Sequence, residues 1–197
     1  MNLEDIRKNY RNFDDSKIQE LAMQDASKLR PEVIPILQEE IKRRNLSENL
    51  ISGINAQLKI TSPEEILEYC TLIQKQPCPI CNGKTQKLNA IVLKEVISMI
   101  FISNITNHVK IGCPQCLAKA KSEINSKNML LGWWSTKGIF HTINALIQNN
   151  KMEKFIRNYE PNEILKSYIK ENIGAIETNK ENPAGINNLL KKANRVN

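Results

Sequence analysis

Hydrophobic positions change their spacing twice along this chain. In the first section they recur at helical intervals. Ile18, Leu21 and Ala22 follow Asp14-Asp15-Ser16, which can cap a helix. Val33, Ile36, Leu37 and Ile41 follow Pro31, placed where a first-turn proline is tolerated. That helix should stop at Lys42-Arg43-Arg44-Asn45, where cations meet the negative helix end and asparagine accepts left-handed geometry. A third helix is predicted near residues 50–58. A fourth begins at Thr61-Ser62-Pro63-Glu64-Glu65, a cap followed by proline and acids, carries Ile66, Leu67, Cys70 and Ile73, and ends before Pro77.

In the middle section the period shortens. Residues 87–102 hold Leu88, Ile91, Val92, Leu93, Val96, Ile97, Ile100, Phe101 and Ile102, many of them β-branched. They predict two strands broken near Lys94-Glu95, with a short buried helix as the alternative. A turn and a third strand at 104–112 lead His108, Val109 and Ile111 towards Cys113. Helical spacing then returns at 117–124, 139–147, 152–159 and 162–173. The polar stretch 177–197, with Pro183 and Gly185, predicts a loose tail holding a weak helix at 186–192. The expected fold class is α+β: a helical N-terminal section (1–74), a central four-cysteine zinc-ribbon β-unit with a Gly-Trp-Trp segment (75–150), C-terminal helices (151–176) and a flexible tail (177–197).

The five cysteines carry the clearest chemistry. Cys78-Pro79-Ile80-Cys81 and Cys113-Pro114-Gln115-Cys116 each bring two sulfurs to one side of a tight turn, with Gly83 allowing the chain to turn behind the first pair. Four thiolates match a tetrahedral structural Zn²⁺ with no open position. The two pairs are further apart than in the common form, and the β-rich insert accounts for the length. A dithiol redox pair, iron in the same cage or no metal at all are the alternatives. Cys70 lies in a helical pattern and reads as a buried, inert thiol. His108 reads as a surface residue or a support to a ligand, and His141 as a packed or interfacial side chain.

Charge is unevenly placed. Residues 1–60 hold ten basic and ten acidic side chains, residues 61–77 are net −2, residues 78–130 net +5 and residues 131–197 net +4. The surplus therefore begins at the first cysteine pair. Lys84, Lys87, Lys110, Lys119 and Lys121 flank the pairs and offer either a solvated rim or a grip on phosphates. The abundance of isoleucine, lysine and asparagine also fits an AT-rich coding sequence. The early acids of the N-terminus do not resemble a secretory signal, and no uncharged apolar run is long enough to cross a bilayer. No phosphate loop, dinucleotide fingerprint or His-Glu-x-x-His pattern occurs, and no nucleophile has a local base, so an enzyme is not expected. Trp133 and Trp134 are adjacent in a chain with 5% aromatics and read as core packing, a partner-binding anchor or shallow membrane contact.

Cys78, Cys81, Cys113 and Cys116, followed by Gly132, Trp133, Trp134 and the later Ala145, Leu146, Ile147 and Asn149, resemble a set of uncharacterised bacterial split zinc-ribbon proteins. The segment 37–46 is similar to a short helical unit attached to various bacterial proteins, with Arg44-Asn45-Leu46 where Arg-Gly-Leu is usual. The set continues after Gly-Trp-Trp with Ile-Pro, and this chain with Ser135-Thr136-Lys137. The resemblance implies zinc binding and a bacterial source, and no activity. The expected function is a non-enzymatic, zinc-stabilised cytoplasmic adaptor with a protein-docking surface centred on Trp133 and Trp134. Nucleic-acid or ribosome binding by the five lysines is the alternative, and peripheral membrane contact is not expected.

Overall fold

A computed structural model describes residues 2–59, 61–100 and 102–195. Its elements are α1 (Leu3–Asn12), α2 (Asp15–Glu20), α3 (Ile34–Arg43), α4 (Asn49–Leu58), α5 (Pro63–Gln74), β1 (Asn89–Met99), β2 (Ile102–Gly112), α6 (Pro114–Leu131), α7 (Thr136–Lys151), α8 (Glu153–Ile156), α9 (Glu163–Glu171), α10 (Ile173–Thr178) and α11 (Pro183–Arg195). Helices at both ends with one small antiparallel sheet make this an α+β protein. The chain divides into two units. The first holds the residues up to Tyr69 with Tyr168–Pro183, and the second holds Cys70–Ser167 with residues 184–197.

In the first unit the helix signals act as local chemistry requires. The Asp14 carboxylate accepts from the Lys17 backbone N–H at 2.7 Å. Ser62 and Glu65 exchange side-chain-to-backbone bonds at 3.0 and 3.2 Å, a capping box that opens α5. The α3 helix stops at Asn45, whose φ is 52°. The N–H groups of Asn45 and Leu46 then reach back to the carbonyls of Lys42 and Ile41 at 3.0 Å each. That pair of bonds closes the helix end through a left-handed residue. Ile18, Leu37, Ile41 and Ile54 are fully buried in one apolar cluster.

Two polar devices complete this unit. Residues Leu21–Asp25 widen into a π-turn, which breaks the regular ladder. Gln57 on α4 repairs the break: its amide donates to the Ala22 carbonyl at 2.6 Å and accepts from the Ala26 N–H at 3.0 Å. The buried Glu40 carboxylate accepts from Arg43 and Arg44, and Arg44 also reaches Asp15 and the Tyr10 carbonyl. The Arg43 hydrogen bond is the strongest of the influences that hold Glu40 down to about 2, against its burial. Close approach fixes one glycine: a Cβ at Gly53 would lie 2.6 Å from the Gly174 carbonyl oxygen, so α4 and α10 meet backbone to backbone.

The second unit is built around a hairpin. β1 and β2 pair from Asn89↔Gly112 to Met99↔Ile102. The expected break at Lys94-Glu95 is absent, and β1 runs through it as one strand. The reason is tertiary. Asn149 on α7 accepts from the Lys94 N–H at 2.7 Å, and Asn128 on α6 accepts from the Val96 N–H at 2.7 Å. Both asparagines also donate to the Lys94 carbonyl, at 2.9 and 2.8 Å. Their amides thus take the place of a third strand along the free side of β1. Ile91 and Leu93 face Leu117, Ile124 and Ile156 in a small apolar cluster. Phe101, part of the expected strand run, lies outside the described residues.

The expected loose tail is also replaced by order. α11 continues to Arg195 with Ile186 and Leu190 buried. Asn194 on the same face pairs with both backbone groups of Ile111, at 2.8 and 2.9 Å, and so ties the helix to β2.

Candidate metal centre

The first cysteine pair sits in a turn just ahead of β1. The Asn82 N–H donates to the Cys78 carbonyl at 2.7 Å, and the Cys78 N–H to the Gly83 carbonyl at 2.8 Å. The left-handed residue of this turn is Asn82, at φ 60°, and not the expected Gly83. Asparagine tolerates that region and frees the next position. The second pair is built differently. Cys113 is the N-cap of α6, Pro114 occupies its first position, and Cys116 follows within the first turn. One half of the site is therefore a backbone knuckle and the other a helix start, with the hairpin between them.

The four sulfurs of Cys78, Cys81, Cys113 and Cys116 all lie within 4.8 Å of one another. The Cys81 and Cys113 sulfurs are 3.8 Å apart. Metal–sulfur bonds of about 2.3 Å in a tetrahedron demand sulfur–sulfur edges of about 3.8 Å. No disulfide joins any of them. These four cysteines form a group fit for a metal ion.

Electrostatics differ across the group. Burial pushes the Cys78 thiol up, but backbone N–H groups of Cys113, Cys81 and Ile80 outweigh it and bring it down to about 7. The Cys113 N–H lies 3.4 Å from the Cys78 sulfur. Burial raises Cys113 and Cys116, with neighbouring sulfurs adding to the rise at Cys116. Four thiolates this close would repel one another; protons on some of the sulfurs relieve that cost, and so does a cation that displaces those protons. Away from the group, Cys70 is fully buried on α5, and burial lifts its thiol to about 11, as expected of an inert sulfur.

Trp133 and Trp134 are 40% and 67% exposed, so neither is a core residue. The Trp134 indole N–H donates to the Leu130 carbonyl at 2.9 Å. The five lysines do not form one surface set. Lys84, Lys87 and Lys119 are exposed. Lys110 is half-buried, donates to the Asn194 carbonyl, and is pulled below the usual lysine value by burial. Lys121 pairs with Glu153. His141 is half-buried on α7.

Sequence reading missed one polar cluster. His108, expected at the surface or beside the ligands, is buried on β2 with Nε2 2.7 Å from a Glu95 carboxylate oxygen. Lys127 holds the other oxygen at 3.1 Å. Burial raises the Glu95 carboxyl, but Lys127 and His108 overcome it and keep the group below its usual range. The register Lys94↔Asn107 and Glu95↔Thr106 places Glu95 near His108 across the pair, a relation that needs the strand pairing to be known. In the first unit, a cavity of about 360 Å³ is lined by Lys59, Glu65, Tyr69, Glu177 and Lys180 among others. Its charges are paired internally: Lys59 with Glu65, Lys180 with Glu177, and the Tyr69 hydroxyl with Glu177.

No protein family, no curated protein and no solved structure matches this chain. The class is therefore set by the molecule itself: an α+β protein with a four-cysteine metal-binding group between a knuckle and a helix start. No helix among the described residues is long and apolar enough to cross a membrane.

Proposed function

We propose that this is a zinc-stabilised cytoplasmic binding protein, an adaptor without chemistry of its own, whose second unit presents a docking surface around Trp133 and Trp134. The observation that carries the reading is the sulfur group: four cysteine sulfurs within 4.8 Å of one another. Zn²⁺ in such a cage has every coordination position filled by protein, so it organises structure and leaves no place for a substrate. Thiolates of this kind persist in a reducing compartment, which supports the cytoplasm. Two exposed tryptophans beside the metal-organised hairpin supply the large rigid side chains that recognition surfaces favour.

Elemental analysis of protein purified without added metal tests the first half. One zinc per chain is expected; iron, or no stoichiometric ion, refutes it. The docking half is tested in cell lysate fractionated by size and density. The protein should run with a larger or particulate species, and Trp134→Ala should shift it towards free protein. A free monomer for both chains refutes docking.

A further inference from the structure

Three segments of the second unit meet at the cysteine end of the hairpin: the stretch leading into β1 (75–90), the end of β2 with the start of α6 (108–122), and α11 (184–195). Each carries three Lys or Arg, and none carries an Asp or Glu. Bonds fix the meeting. The Cys81 and Cys113 sulfurs are 3.8 Å apart, which joins the knuckle to the start of α6. Asn187 donates to the Pro77 carbonyl at 2.9 Å, and Asn194 pairs with both backbone groups of Ile111. α11 therefore runs from the residue before Cys78 to a point two residues before Cys113. Lys110 and Lys121 drop out of the cation set expected from the sequence, being half-buried and paired, and Lys192 and Arg195 join it, because α11 is docked rather than loose.

Lys84, Lys87, Lys119, Lys192 and Arg195 are exposed. On α11, Asn188, Lys192 and Arg195 form an i, i+4, i+7 stripe on the side away from the buried Ile186 and Leu190. Among the described residues, Lys119 has Glu123 at 4.0 Å, and the other four have no carboxylate partner. The remaining acids nearby are engaged or lie elsewhere. Glu153 holds Lys121 and Arg157. Glu160 belongs to the loop along the free edge of β1, where Asn162 takes up the Ala90 carbonyl; Ile111, the register partner of Ala90, faces α11 at the opposite edge. Zn²⁺ with four thiolates would carry two net negative charges, so the positive surplus persists with the site filled.

Cations without carboxylate partners suit a polyanion, because each phosphate contact releases condensed counterions. Asn82, Gln115 and Asn188 in the same segments expose amides, donors for phosphate and sugar oxygens. A bilayer is disfavoured here, since Ile80, 46% exposed, is the sole large apolar side chain exposed in the three segments. They hold no Phe, Tyr or Trp, so unpaired bases have nothing to stack on. The phosphates of a double helix ask for neither. We propose that the cysteine end of the second unit binds the phosphate backbone of a nucleic-acid double helix, without reading its sequence, through Lys84, Lys87, Lys119, Lys192 and Arg195. Trp133 and Trp134 follow the far end of α6, whose 18 residues span about 27 Å. The two surfaces are therefore distinct, and neither reading rests on the other.

The test titrates the full, metal-loaded chain, by fluorescence anisotropy, into a labelled RNA duplex, the DNA duplex of the same sequence and one of its single strands. Duplex should bind more tightly than single strand, and five phosphate contacts should lower affinity roughly 500-fold between about 50 and 200 mM salt. Lys192→Gln with Arg195→Gln, and separately Lys84→Gln with Lys87→Gln, should each flatten the slope of log affinity against log salt by about two, with metal content and far-ultraviolet dichroism unchanged. Lys137→Gln, beside the tryptophans, should leave the slope as it is. Binding of both duplexes, or of one alone, supports the proposal and names the source of the phosphates. No binding of either duplex at about 50 mM salt overturns it, as does binding that ignores salt, a preference for the single strand, or one slope for wild type and both paired variants. A slope flattened as much per charge by Lys137→Gln also overturns it, since the whole basic surplus would then be acting. Trp134→Ala should bind duplex as wild type does, so failure of the docking reading and failure of this one are told apart.

Discussion

The two units solve the problem of stability by different means. The first buries a cluster of twelve apolar residues, from Ile6 to Ile54, and adds one shielded ionic clamp at Glu40. The second also buries apolar side chains, among them Leu88, Ile91, Leu93, Ile111, Leu117, Leu165 and Ile186, but around a sheet of only two strands. A lone hairpin is marginal in water. Around that sheet the second unit places directional groups that the first does not have: a four-cysteine group at one end of the hairpin and asparagine amides along its side. Burial is forgiving and distributed, whereas directional bonds fail one at a time and completely.

With the proposed zinc in the sulfur group, its removal should separate the units most sharply. Chelation, or Cys113→Ser, forfeits most of a binding energy of about 10–16 kcal/mol for a structural zinc. Hydrogen exchange should then show amide protection lost across β1, β2 and the start of α6, and kept around Leu37 and Ile54. Equal loss in both units would dissolve the contrast. Next in size, Leu37→Ala should cost about 3 kcal/mol in denaturant unfolding, because a fully buried leucine leaves a cavity in a packed cluster. Asn128→Ala should cost about 2 kcal/mol, because it strands the Val96 N–H and removes one donor from the Lys94 carbonyl. Asn128→Asp should not restore it, since a carboxylate cannot donate to that carbonyl.

An effect of comparable size is expected in acid, and it belongs to the first unit. Glu40 is held at about 2, below the ordinary value near 4.5. A carboxyl lowered on folding stabilises above its unfolded value, and the benefit disappears as pH falls through the folded one. The first unit should therefore weaken steadily from about pH 4.5 towards 2, followed by its melting temperature. Glu40→Gln should flatten that slope. A slope unchanged by the substitution would remove Glu40 from the account.

Local chemistry was legible in the sequence. Asp14, the Ser62–Glu65 box and the stop at Asn45 all act within a turn of their own position, so neighbouring residues suffice to read them. The cysteine spacing likewise announced a metal-binding group. Features decided at a distance were not legible. Lys94-Glu95 looks like a break until Asn128, Asn149, His108 and Lys127 are placed around it, from 13 to 55 residues away. Asn194 makes a helix of a polar tail for the same reason. The Gly83 expectation failed because either residue of an Asn-Gly pair can take the left-handed position, and Asn82 takes it. The second cysteine pair hid its helix because Cys-Pro-x-Cys suits a turn and a helix start equally well.

The asparagine amides along β1 have one more consequence. Sheets propagate into fibres only when both flanks of the building block accept another chain. Here the β1 flank is closed at Lys94 and Val96 by Asn128 and Asn149, and Asn162 takes up the Ala90 carbonyl at 2.6 Å. Any recruitment through the opposite flank ends after a single addition, so an aliphatic hairpin that would otherwise be an amyloid hazard is kept from polymerising.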